Sequence, residues 1–296
     1  MLTKREFDLL LLLSQKKGTL TQRQMAETLS CSVGTVNKLL RELADCGLCV
    51  EQEITQGGLD ALEPYRVKRA IFIAAGSAPR LTPISLSVPA PLIRVNGQRI
   101  IDSMLDAVVA AEIPEIVIVG GYLGEQFDQL LCRYPQIRFV ENPEYNNCNN
   151  IASAMQVRDL FANAYVMDAD LLLRRPELIR KYEYQSNLLG VPVERTDDWC
   201  VKTDKSGVVT SVAVGGIDGY REVGIFYWSS EDGKKLERDL EEVYCSPGGK
   251  ERFWEQTALL YKSENYRVAV RSCGPNDVVE VDTLNELRAL DRAYTC

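Results

Sequence analysis

The sequence predicts an α/β protein in which a Rossmann-like, mostly parallel sheet is preceded by a small winged helix-turn-helix. After residue 67, short apolar segments alternate with segments of helical periodicity, which is the pattern of parallel strands covered by helices. Residues 1–62 instead contain helical segments joined by short turns and a final hairpin, the order of a winged helix-turn-helix. We therefore expect two domains, at residues 1–62 and 67–296.

Composition narrows the chemistry that the chain can use. Its 296 residues include no histidine, so Ser-His-Asp triads and histidine-ligated metals are excluded. Any catalysis must use carboxylates, arginine, lysine, backbone amides or a hard metal ion. The nine scattered cysteines fit reduced thiols, and no apolar run reaches the ~20 residues that span a bilayer. We expect a cytoplasmic protein with no membrane partner.

Three helices and a hairpin are predicted in the first domain. The first helix begins at Thr3 and is ended by Gly18, the second is TQRQMAETL, and the third is VGTVNKLLRELADCG. Leu48–Ile54 suits a strand of the wing. The segment Gln56–Arg66 contains two glycines and a proline, which predicts a linker to the second domain.

The third helix is the element expected to meet DNA. Its polar start would face the major groove or the phosphates. The same helix carries Glu42 and Asp45, so a small interaction module that has kept the fold without binding DNA remains an alternative. The residues predicted to contact DNA are Ser32, Thr35, Asn37, Lys38 and Arg41.

The second domain begins with the alternating pattern and becomes less regular toward its end. Strands are predicted at 70–75, 115–119, 137–140 and 164–168, and helices near 99–111, 124–133 and 150–162. The later segments are rich in short strand candidates, at 189–194, 199–203, 207–214, 222–228, 266–270 and 278–281. They predict a substrate-binding extension around the sheet.

A phosphate site is predicted where the first strand of this domain meets its loop. The apolar segment Ala70–Ala75 runs into GSAPRL. Ligands of open α/β sheets bind beyond the carboxyl ends of the strands. Gly76 lets the backbone approach a phosphate, and Arg80 supplies a fixed, forked cation for it.

Two pairs of carboxylates end later strands of the same domain. YVMDAD places Asp168 and Asp170 at one strand end, and VVEVD places Glu280 and Asp282 at another. Magnesium is usually held by one or two carboxylates together with phosphate oxygens, so these acids predict a divalent-cation site. The alternative is that they cap the elements that follow them.

Seven further segments carry a family resemblance. They are AAGSAPRL, GGYLGEQFD, NPEYNNCNNIASAM, YVMDADLLL, VERTDDW, VGIFYW and VVEVDTLNEL. Together they resemble the phosphocholine cytidylyltransferases of the sugar-phosphate nucleotidyltransferase superfamily, in the subgroup with a fused N-terminal winged helix. The resemblance implies cytidylyl transfer from CTP to phosphocholine or a similar phosphate ester, with release of pyrophosphate.

The resemblance also implies roles for individual residues. Asp170 and Asp282 would bind Mg²⁺ and act with Arg80 as the catalytic residues. A choline head group would be held by aromatic faces with a nearby carboxylate, which points to Asp198 with Trp199 and to Trp254 with Glu255, although each tryptophan could instead pack in the core. The residues expected to bind CTP, or another nucleoside triphosphate, are Ala74, Ala75, Gly76, Gly121 and Tyr122.

The sequence departs from the family signature at chemically important places. Ala78, followed by Pro79, replaces a loop glycine, and Ala90 stands where the signature has a lysine. Losing a cation aimed at the α-phosphate should cost on the order of 3–4 kcal/mol of transition-state stabilisation. Arg94 and Lys250 are possible substitutes. An active transferase is therefore one reading, and a catalytically impaired, DNA-binding sensor of nucleotide or choline-phosphate is the alternative.

Overall fold

A computed structural model describes residues 2–15 and 20–295 of the chain, and it divides into two compact units. The N-terminal unit comprises Met1–Arg66 with Tyr182–Tyr184, and the sheet unit comprises Val67–Lys181 with Gln185–Cys296. The inclusion of Tyr182–Tyr184 in the N-terminal unit was not foreseen from the sequence. No helix within the described ranges is both long enough and apolar enough to cross a bilayer.

Among its described residues, the N-terminal unit contains four α-helices and a two-stranded hairpin. The elements are α1 (Lys4–Gln15), α2 (Gln22–Thr28), α3 (Val33–Asp45), β1 (Cys49–Val50), β2 (Glu53–Ile54) and α4 (Gln56–Leu62). Thr21 caps α2 through a capping box with Gln24, and Ser32 caps α3. The predicted end of the first helix at Gly18 lies outside the described residues.

The segment predicted as a linker is a helix. α4 covers most of it, and a 3₁₀ turn at Glu63–Tyr65 follows. A Cβ atom on Gly58 would lie 2.2 Å from the carbonyl oxygen of Leu48. This glycine therefore allows α4 to pack closely on the hairpin, so the two glycines of the segment are no sign of a flexible connection.

A seven-stranded sheet forms the centre of the sheet unit, in the order β12-β10-β11-β8-β3-β6-β7. The strands β7, β6, β3 and β8 are parallel, β11 is antiparallel to its neighbours β8 and β10, and β12 runs parallel to β10. The strands of this sheet are β3 (Arg69–Ala74), β6 (Glu115–Gly120), β7 (Ile137–Glu141), β8 (Ala164–Asp168), β10 (Asn187–Thr203), β11 (Val209–Trp228) and β12 (Ala269–Ser272).

Apolar side chains cover both faces of this sheet because successive residues of a strand point in opposite directions. Phe72 of β3 belongs to the core on one face, and its neighbour Ile71 belongs to the core on the other. The remaining elements are β4 (Arg94–Val95), β5 (Gln98–Arg99), α5 (Ile100–Ala110), α6 (Ile151–Met155), β9 (Leu171–Leu173), α7 (Ser230–Tyr244), β13 (Val278–Glu280) and α8 (Leu284–Leu290).

The irregular second half contains a long hairpin. Four of the short predicted strands merge into β10 and β11, which have 17 and 20 residues. Their pairing shifts register near Cys200, which pairs with both Ala213 and Arg221. Cβ atoms on Gly216 and Gly219 would lie 2.6 and 2.8 Å from the Cys200 sulfur, so these glycines make room for the fold of the hairpin on itself.

Candidate active site

A cavity of about 780 Å³ lies where β3 and β8 end. Such a position, beyond the carboxyl ends of parallel strands, is where open α/β sheets bind ligands. Most of the charged residues on its wall are acidic. They are Asp168, Asp170, Asp197, Asp198, Glu222, Glu255, Glu280, Asp282 and Glu286.

The loop after β3 forms one side of the cavity. Ala75, Gly76 and Arg80 line it, and Arg80 belongs to a 3₁₀ turn. Ala78 has φ of +45°, in the left-handed region that a glycine adopts without strain. The glycine of the family signature would therefore suit this backbone better than the alanine found here.

A short strand pair brings two distant carboxylates to the same cavity. β13 pairs antiparallel with β9, with Glu280 opposite Leu171, and the Val281 N–H donates to the Asp170 carbonyl at 3.1 Å. As a result Asp170, just before β9, and Asp282, just after β13, both line the cavity. No helix directly follows Asp170, so it is not a helix cap.

The charges of this group influence one another. Arg80 forms an ion pair with Asp282. Burial above all raises the pKa of Asp170 to about 6, and the negative charge of Asp282 raises it further while Arg80 opposes the shift. Thr283, whose hydroxyl accepts from the Glu286 N–H at 3.2 Å, caps α8, so Asp282 keeps its carboxylate for the cavity.

The donor set suits a hard divalent cation that is completed by a ligand. Asp170 and Asp282 supply carboxylate oxygens, which magnesium prefers. Within residues 2–15 and 20–295, no group of three or more Asp, Glu or Cys side chains is arranged to hold a metal ion. A cation at Asp170 and Asp282 would therefore take its other ligands from phosphate oxygens and water.

Three of the residues predicted to bind the nucleotide do not line the cavity. Ala74 is the buried last residue of β3, and the Tyr122 N–H donates to the Ala75 carbonyl at 3.1 Å. A Cβ atom on Gly121 would lie 2.8 Å from the side chain of Tyr145 and 3.0 Å from that of Ala75. Gly121 thus allows Tyr145 to approach the loop, and only Ala75 and Gly76 of this predicted set line the cavity.

Three of the four predicted head-group residues line the same cavity, and the fourth requires a correction. Asp198, Trp199 and Glu255 line it, and Phe253 meets Trp199 edge-on with ring centroids 6.3 Å apart. Trp254 is only 1% exposed and packs in the core, with centroids 5.0 Å from Phe226. Trp254 is therefore a core residue, and the prediction that it contacts the substrate is corrected.

Comparisons with known proteins show the family to which this chain belongs. A family model described as nucleotidyl transferase matches residues 69–209. The 2-aminoethylphosphonate cytidylyltransferase of Lancefieldella rimae is 33% identical over 228 residues, which cover 76% of this chain and 92% of that enzyme. The chain belongs to the nucleotidyltransferase family.

Two more comparisons, one of sequence and one of structure, support the relationship. The choline-phosphate cytidylyltransferase of Streptococcus pneumoniae is 28% identical over 224 residues, covering 75% of this chain and 96% of that enzyme. A solved structure of CTP:phosphocholine cytidylyltransferase from the same organism has a TM-score of 0.71 at 28% identity, covering 77% of this chain and 99% of that chain. The predicted α/β nucleotidyltransferase fold of the sheet unit and its resemblance to the cytidylyltransferases are thereby confirmed.

Neither proposed substitute for the signature lysine of the nucleotidyltransferases reaches the cavity. Arg94 donates to the Gly97 carbonyl at 2.6 Å, and Lys250 donates to Glu144 at 2.8 Å. Ala90 itself is buried, beside Leu81 and Val281 in one apolar cluster. Of the described residues that line the cavity, Arg80 is the one with a cationic side chain.

Several wall residues of this nucleotidyltransferase were missed from the sequence. The segment NPEYNNCNN follows β7, and its Asn142, Tyr145, Asn149 and Asn150 line the cavity. The Asn150 side-chain oxygen accepts a hydrogen bond from the backbone N–H of Trp254 at 2.9 Å, which orders the wall next to Glu255. The sequence signal that could have identified these residues is the run of asparagines directly after a parallel strand. No comparable sequence pattern marks Glu222 or Phe253, because both lie in the less regular second half of the sheet unit.

The residues predicted to meet DNA lie at the start and along one side of α3. Ser32, Lys38 and Arg41 are exposed, whereas Thr35 and Asn37 are partly buried. The Ser32 hydroxyl accepts the Thr35 N–H at 3.1 Å as the helix cap, and Lys38 lies 3.7 Å from Glu42. Ser32 therefore caps the helix and Lys38 pairs with a residue of the same helix, so both have local roles.

Proposed function

We propose that the sheet unit transfers a cytidylyl group from CTP to a small phosphate ester or phosphonate with a cationic head, such as phosphocholine, in a Mg²⁺-dependent reaction. The observation that carries this proposal is the convergence of Arg80, Asp170 and Asp282 on one cavity. The relatives add the nucleotide and the class of acceptor, since they are named for cytidylyl transfer to phosphocholine and 2-aminoethylphosphonate.

The proposed reaction needs no histidine. An acceptor phosphate or phosphonate is already anionic at neutral pH, and its oxygen attacks the α-phosphorus of CTP directly. One P–O bond forms to the acceptor, the bond between the α- and β-phosphates breaks, and pyrophosphate leaves with the electron pair. Catalysis then rests on positioning and on neutralising charge at the phosphates.

Different residues of the cavity would position the phosphates and neutralise their charge. Arg80 would release Asp282 and donate its N–H groups to the phosphates, while the backbone at Ala75 and Gly76 lies close to them. Asp170 and Asp282 would hold the magnesium ion, which supplies positive charge that neutralises the reacting phosphates. Because Ala90 brings no cation, turnover below that of a lysine-bearing relative is expected.

Pyrophosphate release tests this proposal. The full chain is incubated with CTP, Mg²⁺ and either phosphocholine or 2-aminoethylphosphonate, and pyrophosphate is measured with and without a chelator. We expect release that needs Mg²⁺, falls by about 10²-fold or more in Asp170→Asn, and rises in Ala90→Lys. Glu237→Gln, an exposed change on α7, serves as the control. Full activity of Asp170→Asn, or release that persists after chelation, would refute the assignment.

A regulator is the second candidate, and it concerns the N-terminal unit. The order α2, short turn, capped α3 and hairpin favours a winged helix-turn-helix, and Lys38 and Arg41 are exposed on α3. The hairpin carries Glu51 and Glu53, whose charges would repel phosphates. A mobility shift with genomic fragments that weakens with salt and responds to CTP would support it, and no shift at low salt would exclude it.

A further inference from the structure

Three side chains that lie outside the cavity hold one of its walls. The wall segment, residues 144–150, brings four side chains to the cavity: Tyr145, Cys148, Asn149 and Asn150. At the start of this segment, Glu144 accepts a hydrogen bond from the ammonium group of Lys250 at 2.8 Å and another from the hydroxyl of Tyr244. None of these last three residues lines the cavity, and we call the three together the anchor.

The far end of the wall segment is tied to the same place as its start. The backbone N–H of Asn149 donates to the Lys250 carbonyl at 2.7 Å, and the Asn149 side-chain amide donates to the next carbonyl of the same turn at 3.1 Å. Between these attachments, the Cys148 N–H donates to the Glu144 carbonyl at 3.1 Å. The 3₁₀ turn Gly249–Glu251 therefore fixes the path of the wall segment at both ends.

The anchor is itself fixed to the end of α7. A Cβ atom on Gly249 would lie 2.1 Å from the Val243 carbonyl oxygen and 2.4 Å from that of Tyr244, so the turn packs directly on the helix. The Lys250 ammonium lies 5.3 Å from the centroid of the Tyr244 ring. Burial and then the hydrogen bond to Glu144 raise the pKa of Tyr244 to about 12, so its hydroxyl remains a donor at neutral pH.

The wall segment lies beside the loop after β3. Tyr145 and Ala75 meet at Gly121, where an added Cβ atom would lie 2.8 and 3.0 Å from their side chains. A movement of the wall segment would therefore change the space next to the loop that is proposed to receive the nucleotide phosphates. The side chains of Lys250 and Glu144 are 53% and 37% exposed. Exposed ion pairs contribute little to overall stability, so we expect the effect of the anchor to be local.

We propose that Glu144 is a positioning residue for the nucleotide: with Tyr244 and Lys250 it holds the wall segment where Mg·CTP needs it, without touching the ligand. Loss of an anchor contact leaves the fold intact and lets the wall segment move. Nucleotide affinity then falls, while the chemical step in the bound complex is kept. This inference rests on the proposed function for the identity of the ligand, but not for the attachment of the wall segment.

Calorimetry of Mg·CTP binding to the full chain tests the inference. We expect Glu144→Ala, Tyr244→Phe and Lys250→Met each to weaken binding at least about fivefold, and to raise KM for CTP while changing kcat by less than about twofold. In the Glu144→Ala background, Lys250→Met should add less than about twofold, because the two residues act as a unit. Lys262→Met is the matched control.

The control removes a similar ion pair elsewhere in the sheet unit. Lys262 lies 2.6 Å from Glu242, and neither residue lines the cavity, so Lys262→Met should bind Mg·CTP as wild type does. Glu144→Ala separates the anchor from a direct role of Lys250. If Lys250 bound the phosphates itself, Glu144→Ala would free it and tighten binding. Tighter binding in this variant, or unchanged binding in all three variants, would overturn the proposal.

Hydrogen exchange of the substrate-free chain separates this inference from the proposed function. Residues 144–150 should exchange at least about threefold faster in Tyr244→Phe and Lys250→Met, and at the wild-type rate in Lys262→Met. Melting temperatures should stay within about 2 °C of wild type. Faster exchange in a chain whose wild type binds no CTP would refute the proposed function and leave the anchor standing. Unchanged exchange would overturn the anchor and leave cytidylyl transfer intact.

Discussion

At the scale of single residues, the loop after β3 is where this chain differs most from its family signature. Ala78 occupies a left-handed conformation, and the proline that follows it has no N–H to offer a phosphate. Arg80 remains on the cavity wall next to this strained position. The loop therefore adopts a backbone conformation that suits a glycine better than the alanine found there.

Ala78→Gly should stabilise the protein. Relief of the left-handed strain outweighs the greater backbone freedom of glycine in the unfolded chain, by a net ~0.5–1 kcal/mol. Urea unfolding of wild type and variant measures the difference. Ala111→Gly, at φ of −76°, is the control and should be destabilising. An Ala78→Gly variant that is less stable than wild type would show that the alanine carries no strain.

The raised pKa values of several carboxyl groups on the cavity wall predict how stability depends on pH. A carboxyl whose folded pKa lies above its unfolded value binds more protons when folded, so the free energy of unfolding falls as pH rises through that interval. For Glu255, with a pKa of about 7, the loss falls between about pH 4.5 and 7. Glu222, Asp168 and Glu280 also have raised pKa values and act in the same direction.

Melting temperatures from pH 5 to 9 check this prediction in the substrate-free protein. Wild type should melt at progressively lower temperature as pH rises, and Glu255→Gln should flatten part of the slope. Glu237→Gln should follow the wild-type curve. Stability that instead increases across this range would contradict the raised pKa values assigned to these carboxyl groups.

At the scale of elements, the sequence pattern did not predict the long hairpin of β10 and β11 or the helix α4. The strands β3, β6, β7 and β8 match their predicted ranges closely, because each is a short apolar run flanked by helical periodicity. The hairpin of β10 and β11 was divided into pieces, since its outer part is exposed and glycine-rich. α4 was mistaken for a linker, because a glycine needed for close packing looks the same in sequence as one needed for flexibility.

Gly58→Ala tests this explanation of α4. The added Cβ atom would lie 2.2 Å from the Leu48 carbonyl oxygen, so we expect a loss of about 1–3 kcal/mol in the N-terminal unit. Gly34→Ala in α3 is the matched control: its Cβ atom would meet nothing nearer than 3.7 Å, and the better helix propensity should stabilise it by ~0.5–1 kcal/mol. Hydrogen exchange localises both effects, and unchanged protection of residues 48–62 in Gly58→Ala would refute the packing argument.

At the scale of the whole molecule, the candidate site was predictable in part. Asp170, Asp282 and Arg80 come from three separate segments, and strand-end carboxylates with a family resemblance were enough to group them. Glu222 and Glu255 were not predictable as a pair, because Glu222 lies in β11 and Glu255 follows a core tryptophan. Glu255 precedes the turn Thr257–Tyr261, which packs against β11, and this contact brings the two segments together.

The charge of the chain also indicates which ligands fit the cavity. The chain has a formal net charge of −8. On the cavity wall, acidic side chains outnumber basic ones more strongly than they do in the chain as a whole. A free nucleoside triphosphate would be repelled, so a magnesium complex and an acceptor with a positive head are the ligands whose charges fit.

A double-mutant cycle on Mg·CTP binding tests the central claim, that Asp170 and Asp282 act on one cation. Dissociation constants are measured by calorimetry for wild type, Asp170→Asn, Asp282→Asn and the double variant. We expect each single change to weaken binding at least about tenfold, and the double change to add less than about threefold to the worse single. Independent losses that multiply in the double variant would mean that the two carboxylates serve separate sites.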